Sequence, residues 1–277
     1  MRRVEGKVAF VTGAARGQGR AHCVKLASEG ADVIAVDICA DVDTVPYPGA
    51  TPEDLEQTVR LVEETGGGKI AASQVDVRDL KALQAAVSAG VDRFGRLDIV
   101  VANAGISTFN EMIDLDEAQW QTMIDVNLTG VWKTIRAAVP AVIDAGNGGS
   151  VVLISSTAGL KAFRAIGHYV ASKHGVLGLM RTLAIELAAH DIRVNSIHPA
   201  NVETDMITNR YCYQLFRPDL EAPTAADAYP AYLGLNLLQE PWAQPADISE
   251  ALMFLVSDEA RYMTGVPLPV DLGLLTK

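Results

Sequence analysis

The sequence predicts a doubly wound α/β fold, a Rossmann-like open parallel sheet with helices on both faces, and three observations carry that prediction. Short, β-branched apolar runs recur along the chain, segments with 3.6-residue periodicity lie between them, and the runs are apolar almost without interruption. Strands covered on both faces have to read that way. No composition break divides the 277 residues, so one domain over residues 1–277 is expected.

Taken in order, Val8–Thr12 is the first strand, followed by a glycine-containing turn and a helical pattern over Arg20–Glu29. Val33–Asp37 is the second strand. The segment 38–52, with Pro46, Pro48, Gly49 and Pro52, breaks the repeat and reads as an insert. Ile70–Val75 then forms a third strand, Asp79–Phe94 a helix and Asp98–Asn103 a fourth strand. Val151–Ser155, a helix over Tyr169–Ala189, and Arg193–His198 continue the alternation. Residues 201–245, rich in proline and aromatics, form a second long irregular segment before a helix starting near Ala246, and Leu268–Asp271 is a weaker last strand. Both irregular segments follow carboxyl ends of strands, the side on which open α/β sheets bind ligands.

Bulk properties narrow the function classes. With 49% hydrophobic and 21% charged residues, the chain can build a core without disulfide or metal staples. Cys23, Cys39 and Cys212 have no metal-ligand spacing and read as reduced structural thiols, so no metal site is expected. A net charge of −11 and a pI near 4.9 repel a phosphate backbone and argue against a nucleic-acid partner. Val8–Thr12 is too short for a signal-peptide core, and no run approaches the ~20 apolar residues of a membrane span. A cytoplasmic location without a membrane partner is therefore expected.

The turn Thr12-Gly13-Ala14-Ala15-Arg16-Gly17-Gln18-Gly19 joins a strand to a helix. Glycines there permit a tight turn and close backbone approach to a pyrophosphate, which the helix N-terminus favours electrostatically. The spacing is G-x-x-x-G-x-G rather than G-x-G-x-x-G, and taken alone it also reads as a tight connection. Asp37 ends the second strand, where a carboxylate accepts hydrogen bonds from both ribose hydroxyls and repels a 2′-phosphate. No basic residue immediately follows it, which favours NAD over NADP.

Ser155 and Ser156 stand at the end of the fifth strand, and thirteen residues beyond Ser156 begins Tyr169-Val170-Ala171-Ser172-Lys173. On a helix, Tyr169 and Lys173 are an i, i+4 pair on one face. A neighbouring ammonium favours phenolate and lowers a tyrosine pKa from about 10, as a general base for an alcohol proton requires. The Ser156 hydroxyl can hold a substrate oxygen while its charge changes. A Tyr-x-x-x-Lys pair by itself also occurs on ordinary helix surfaces; the joint pattern carries the information. His168 and His174 flank it and read as structural.

From about Gly6 to Gly273 the sequence resembles the short-chain dehydrogenase/reductase family. The resemblance rests on Thr12-Gly13-x-x-x-Gly17-x-Gly19, Asp76-Val77, Asn103-Ala104-Gly105, Asn127, Ser156 and Tyr169-x-x-x-Lys173. It implies NAD-dependent interconversion of an alcohol and a ketone, with Tyr169 transferring the proton. Lys173 is implied to lower the tyrosine pKa and bind the nicotinamide ribose, Ser156 to orient the substrate oxygen, and Asn127 to hold a relay water. The 13-residue spacing selects Ser156 over Ser155. Asp76 and Val77 are implied to frame the adenine, and Asn103, Ala104 and Gly105 to support the cofactor, although Asn103 also reads as securing a turn and Asn127 as bending its helix. Arg16 and Gln18 join the glycines as cofactor residues, while Val202 and Thr204 offer an amide and a hydroxyl to the nicotinamide carboxamide.

Two departures, Gln18 in place of an apolar residue and Pro199-Ala200 in place of Pro-Gly, remove no catalytic group. Asp37 and Asp76 lie 39 positions apart, against some two dozen in typical members, because of the insert. With Asp37-Ile38-Cys39-Ala40 and Arg16-Gly17-Gln18-Gly19-Arg20, the insert resembles the carveol-dehydrogenase-like, mycofactocin-coupled actinobacterial subfamily. That narrower resemblance implies bound NAD that does not exchange freely and an external, mycofactocin-like redox carrier; the insert also reads as mere surface decoration. The aromatics of 201–245 serve either an apolar, alicyclic or terpenoid alcohol or a subunit interface, and the family implies a homotetramer. A non-catalytic NAD-binding regulator and a sugar-nucleotide epimerase or dehydratase are the competing readings. The intact Ser156, Tyr169 and Lys173 argue against the first, and the short span after Lys173 against the second.

Overall fold

In the computed structural model, which describes residues 2–277, seven parallel strands form one sheet in the order β3-β2-β1-β4-β5-β6-β7. The strands are β1 (Val8–Thr12), β2 (Asp32–Asp37), β3 (Ile70–Gln74), β4 (Ile99–Ala102), β5 (Gly149–Ile154), β6 (Ile192–Pro199) and β7 (Pro267–Val270). All seven sequence-predicted strands form, the first with both ends as expected and the others with ends moved by at most two residues. Val11 pairs with Ala35 on one side and Val101 on the other. Between β1 and β4 the winding direction reverses, opening the crevice in which such sheets bind ligands.

Two-residue alternation divides the core. Ala9, Val11, Val33 and Ala35 pack with α1 (Gly17–Ser28), α2 (Pro52–Glu64) and α9 (Pro245–Val256). Val8, Phe10, Ile34 and Val36 pack on the other face with α3 (Leu80–Phe94), α5 (Gly130–Ala145) and α6 (Gly167–Glu186). Nearly all these strand side chains are buried, which explains why the strands read as continuous apolar runs.

The chain from Glu117 to Ala145 is a single helical path, α4 (Glu117–Ile124) joined to α5 through a π-helical turn at Asp125–Thr129. The segment 201–245 is less irregular than its composition indicates. It contains α7 (Arg210–Phe216), capped by Asn209, and α8 (Ala225–Leu235), where Thr224 and Asp227 form a capping box. Both are short enough for proline and aromatic content to hide their period. The insert itself is without regular structure until α2 begins at Pro52. The three cysteines are free and buried. No helix of the described residues is long and apolar enough to cross a membrane.

Candidate active site

At the carboxyl ends of β1, β2 and β4 the chain encloses a cleft of about 1080 Å³, mouth included. Its floor is the turn after β1. Gly13 has φ +68°, and a methyl group there would lie 2.8 Å from Ala104 Cα; at Gly19 it would lie 1.9 Å from the Gly13 carbonyl oxygen. These positions admit only glycine, so the spacing seen in the sequence is a steric requirement of this turn. Asn103 braces it from β4, its Nδ2 donating to the carbonyls of Thr12 at 2.9 Å and Gly13 at 3.2 Å. Asn103 thus secures the turn, and Ala104 and Gly105 line the cleft beside it.

Asp37 is 7% exposed and borders the same cleft. Its Oδ2 accepts from Ala15 N at 3.0 Å and its Oδ1 from Cys39 N at 3.1 Å. A carboxylate has about four acceptor positions, so lone pairs remain for a diol. Cys39, the next turn residue, sits at φ +48°, a left-handed conformation unusual outside glycine. Asp76 and Val77 form the opposite wall. Burial pushes the Asp76 carboxyl up, but bonds from the Arg78 side chain and amide outweigh it and hold the group below its usual value. Gln18 lines the cleft with its buried Oε1 unpartnered. A glycine turn that lines the cleft, a carboxylate with spare lone pairs and an orphaned polar atom fit a dinucleotide.

The insert forms the roof. Val42, Val45, Tyr47 and Gly49 border the cleft from one side, and Thr204, Asp205 and Met206 from the other. Arg16 ties the two together, Nη2 donating to the Pro48 carbonyl at 2.6 Å and Nη1 lying 3.3 Å from the Asp205 carboxylate. Val202 is 4% exposed and does not border the cleft, whereas Thr204 does.

Beyond Gly105 the catalytic candidates converge. A methyl group on Gly105 would lie 3.4 Å from Asn127 Oδ1 and 3.6 Å from Lys173 Nζ. Asn127, fully buried in the π-helical turn, accepts from Ile106 N and donates to Ile106 O, both at 2.9 Å. Such turns are frequent at functional sites. Lys173, 3% exposed, donates to the Ile154 carbonyl at 3.0 Å, and its Nζ lies 5.5 Å from the centroid of the Tyr169 ring. Burial lowers Lys173 to about 8. Tyr169 shifts in the opposite sense to the sequence expectation: burial raises its phenol, and the facing Ser156 hydroxyl only partly opposes this. The reason is desolvation, together with a lysine turned toward a carbonyl rather than the phenolic oxygen.

Ser156 caps the 3-10 turn Thr157–Gly159, accepting from Ala158 N at 3.1 Å. Ser155 instead donates to the Lys173 carbonyl at 3.1 Å, whereas the Ser156 hydroxyl faces Tyr169. One residue escaped the sequence reading. His198 on β6, fully buried, bonds through Nδ1 to the Ser156 carbonyl at 2.8 Å and through Nε2 to Ser196 Oγ at 2.8 Å. Nothing in a β-strand pattern distinguishes such a histidine from any other core residue. The arrangement brings the Tyr169 phenol, the Ser156 hydroxyl and the buried Lys173 amine together, with Lys173 beside Gly105 of the cleft wall.

A family model described as short chain dehydrogenase matches residues 7–212. The chain is 53% identical to (−)-trans-carveol dehydrogenase of Rhodococcus erythropolis, with 100% of each chain covered. Its fold superimposes on the crystal structure of carveol dehydrogenase from Mycobacterium avium in complex with NAD, at TM-score 0.98, 53% identity and 100% coverage of both chains. A short chain dehydrogenase from Mycobacterium paratuberculosis bound to NAD gives TM-score 0.90 and 44% identity, covering 99% of this chain and 100% of that one.

Proposed function

The chain belongs to the short-chain dehydrogenase family, and from that membership we propose that it is an NAD-dependent oxidoreductase interconverting a secondary alcohol, alicyclic or terpenoid, and its ketone, with Tyr169 as acid/base. The observation that carries this reading is the meeting of Ser156, Tyr169 and Lys173 beside Gly105, a wall residue of the cleft that Asp37 also borders. Bound NAD supplies the hydride acceptor or donor. Asp37 holds the ribose diol and excludes a 2′-phosphate; the turn from Gly13 to Gly19, with Arg16 and Gln18, receives the pyrophosphate. Asp76 and Val77 frame the adenine, and Thr204, which borders the cleft as Val202 does not, serves the carboxamide.

At the reacting end, Ser156 orients the substrate oxygen. Tyr169, raised by burial, rests as the protonated phenol, suited to donate to a carbonyl oxygen. In the alcohol direction the Lys173 ammonium, 5.5 Å from the ring centroid, favours the phenolate and lets Tyr169 accept the hydroxyl proton. Asn127, beside Gly105 and Lys173, holds the relay water. The carveol dehydrogenase relatives support a cyclic terpenoid alcohol as the substrate class.

The insert roof and its Arg16 tie support slow cofactor exchange, with reducing equivalents passed to an external carrier of the mycofactocin kind. The assembly implied by the family resemblance is a homotetramer. One preparation tests these statements. Denaturing the purified, dialysed protein should release close to one NAD(H) per chain. The native sample should oxidise cyclic secondary alcohols with an artificial dye acceptor and elute at the mass of four chains. Dinucleotide lost within minutes of dialysis would overturn the closed cofactor, absence of alcohol turnover the activity, and a monomer the assembly.

A further inference from the structure

Five consecutive residues after β4 are held by five different parts of the molecule. Asn127 takes both backbone groups of Ile106. The hydroxyl of Tyr47, from the insert, accepts from Ser107 N at 3.2 Å. His168, the residue before Tyr169, bonds Thr108 Oγ1 at 2.7 Å. Tyr211 of α7 accepts from Phe109 N at 2.8 Å and donates to Phe109 O at 2.6 Å, its ring 5.2 Å from that of Phe109. Asn110 N donates to the Ala165 carbonyl at 2.8 Å. Tyr47, Ser107 and Thr108 are 8%, 7% and 2% exposed, so these groups have little access to replacement water.

The segment starts beside Lys173 and Asn127 and ends against the first turn of α6, which carries Tyr169. It therefore borders the candidate site at two points, Asn127 and the turn that carries Tyr169. The insert roofs the cofactor cleft and, through one phenol, also pins this border at Ser107. We propose that Tyr47 is a positioning residue for the alcohol substrate: with Tyr211 it holds residues 106–110 rigid, so that the insert shapes the substrate wall as well as the cofactor roof. This rests on the oxidoreductase reading above. Because Tyr47 and Tyr211 hold residues two apart on one short segment, loosening either leaves the other less to hold.

The test uses the full-length protein with NAD at saturation and cyclohexanol and (−)-trans-carveol as probes, comparing Tyr47→Phe, Tyr211→Phe and the double variant. Tyr47→Phe should raise KM roughly tenfold, as expected when a buried amide loses its acceptor. It should leave kcat within about twofold, because the phenol touches the wall and not the reacting atoms. The double variant should cost less than the product of the single effects. Amide hydrogen exchange over residues 105–111 should quicken in Tyr47→Phe, a readout independent of turnover. Unchanged exchange there, an unchanged KM, strictly multiplicative effects, or a change confined to NAD retention would each overturn the proposal. A wild-type protein without alcohol turnover would instead refute the activity itself, leaving the exchange measurement to decide the role of Tyr47.

Discussion

The two ends of the cleft are built on opposite principles. At the cofactor end, most of the polar groups are already engaged, Gln18 Oε1 excepted: both oxygens of Asp37 accept backbone bonds, Asn103 is committed to the turn and Asp76 is paired with Arg78. At the other end Lys173 is buried and Tyr169 half-buried, and both are displaced from their ordinary values, Tyr169 upward and Lys173 downward. One end is shaped by committed backbone and side-chain bonds; at the other, the surroundings of two titrating groups set their proton affinities. Recognition there comes from preformed backbone, and chemistry from an environment that penalises charge until a partner arrives.

Tyr169→Phe should separate the two ends most sharply. Turnover should fall by about 10²–10⁴-fold, the usual scale of a lost general acid/base, while the NAD(H) released on denaturation matches wild type. Activity near wild type would sink the role of the phenol, and loss of the dinucleotide would show that the ends are not separable.

Asp37→Ala attacks the other end. The ratio of NAD(H) to NADP(H) released from purified protein should fall about 10–100-fold, as expected for losing hydrogen bonds to a charged acceptor. An unchanged ratio would mean that the carboxylate serves only Ala15 and Cys39.

The smallest effect concerns proton affinity. With burial holding Lys173 near 8, the unfolded chain retains a proton, between pH 8 and 10.5, that the folded chain has released. Stability contributed by this group therefore rises with pH across that window. Urea unfolding of wild type and Lys173→Met should show their difference moving toward wild type by roughly 1–3 kcal/mol between pH 7.5 and 10. A flat difference would show that the amine is not desolvated as described.

Much of the architecture was legible because its causes are local. Apolar runs of strand length, the glycine spacing after β1 and the carboxylate ending β2 each depend on neighbours in sequence, so residues 8–37 could be read almost element by element. The i, i+4 relation of Tyr169 and Lys173 is equally local, and the distance back to Ser156 was informative because one strand and one helix separate them. What escaped were relations with no sequence period: the bond from His198 to the Ser156 carbonyl, the helices inside 201–245, and the clasp of Arg16 on Pro48 and Asp205.

The direction of the Tyr169 shift belongs to the same class. The sequence by itself determined the doubly wound sheet and the glycine turn and set Ser156, Tyr169 and Lys173 into one candidate pattern, since backbone sterics and periodicity act over a few residues. Only the tertiary structure decided how dry those side chains are, which carbonyl the lysine faces, and that the insert reaches Ser107 through Tyr47. Burial and long-range hydrogen bonds are set by elements far apart in the chain, and no local pattern records them.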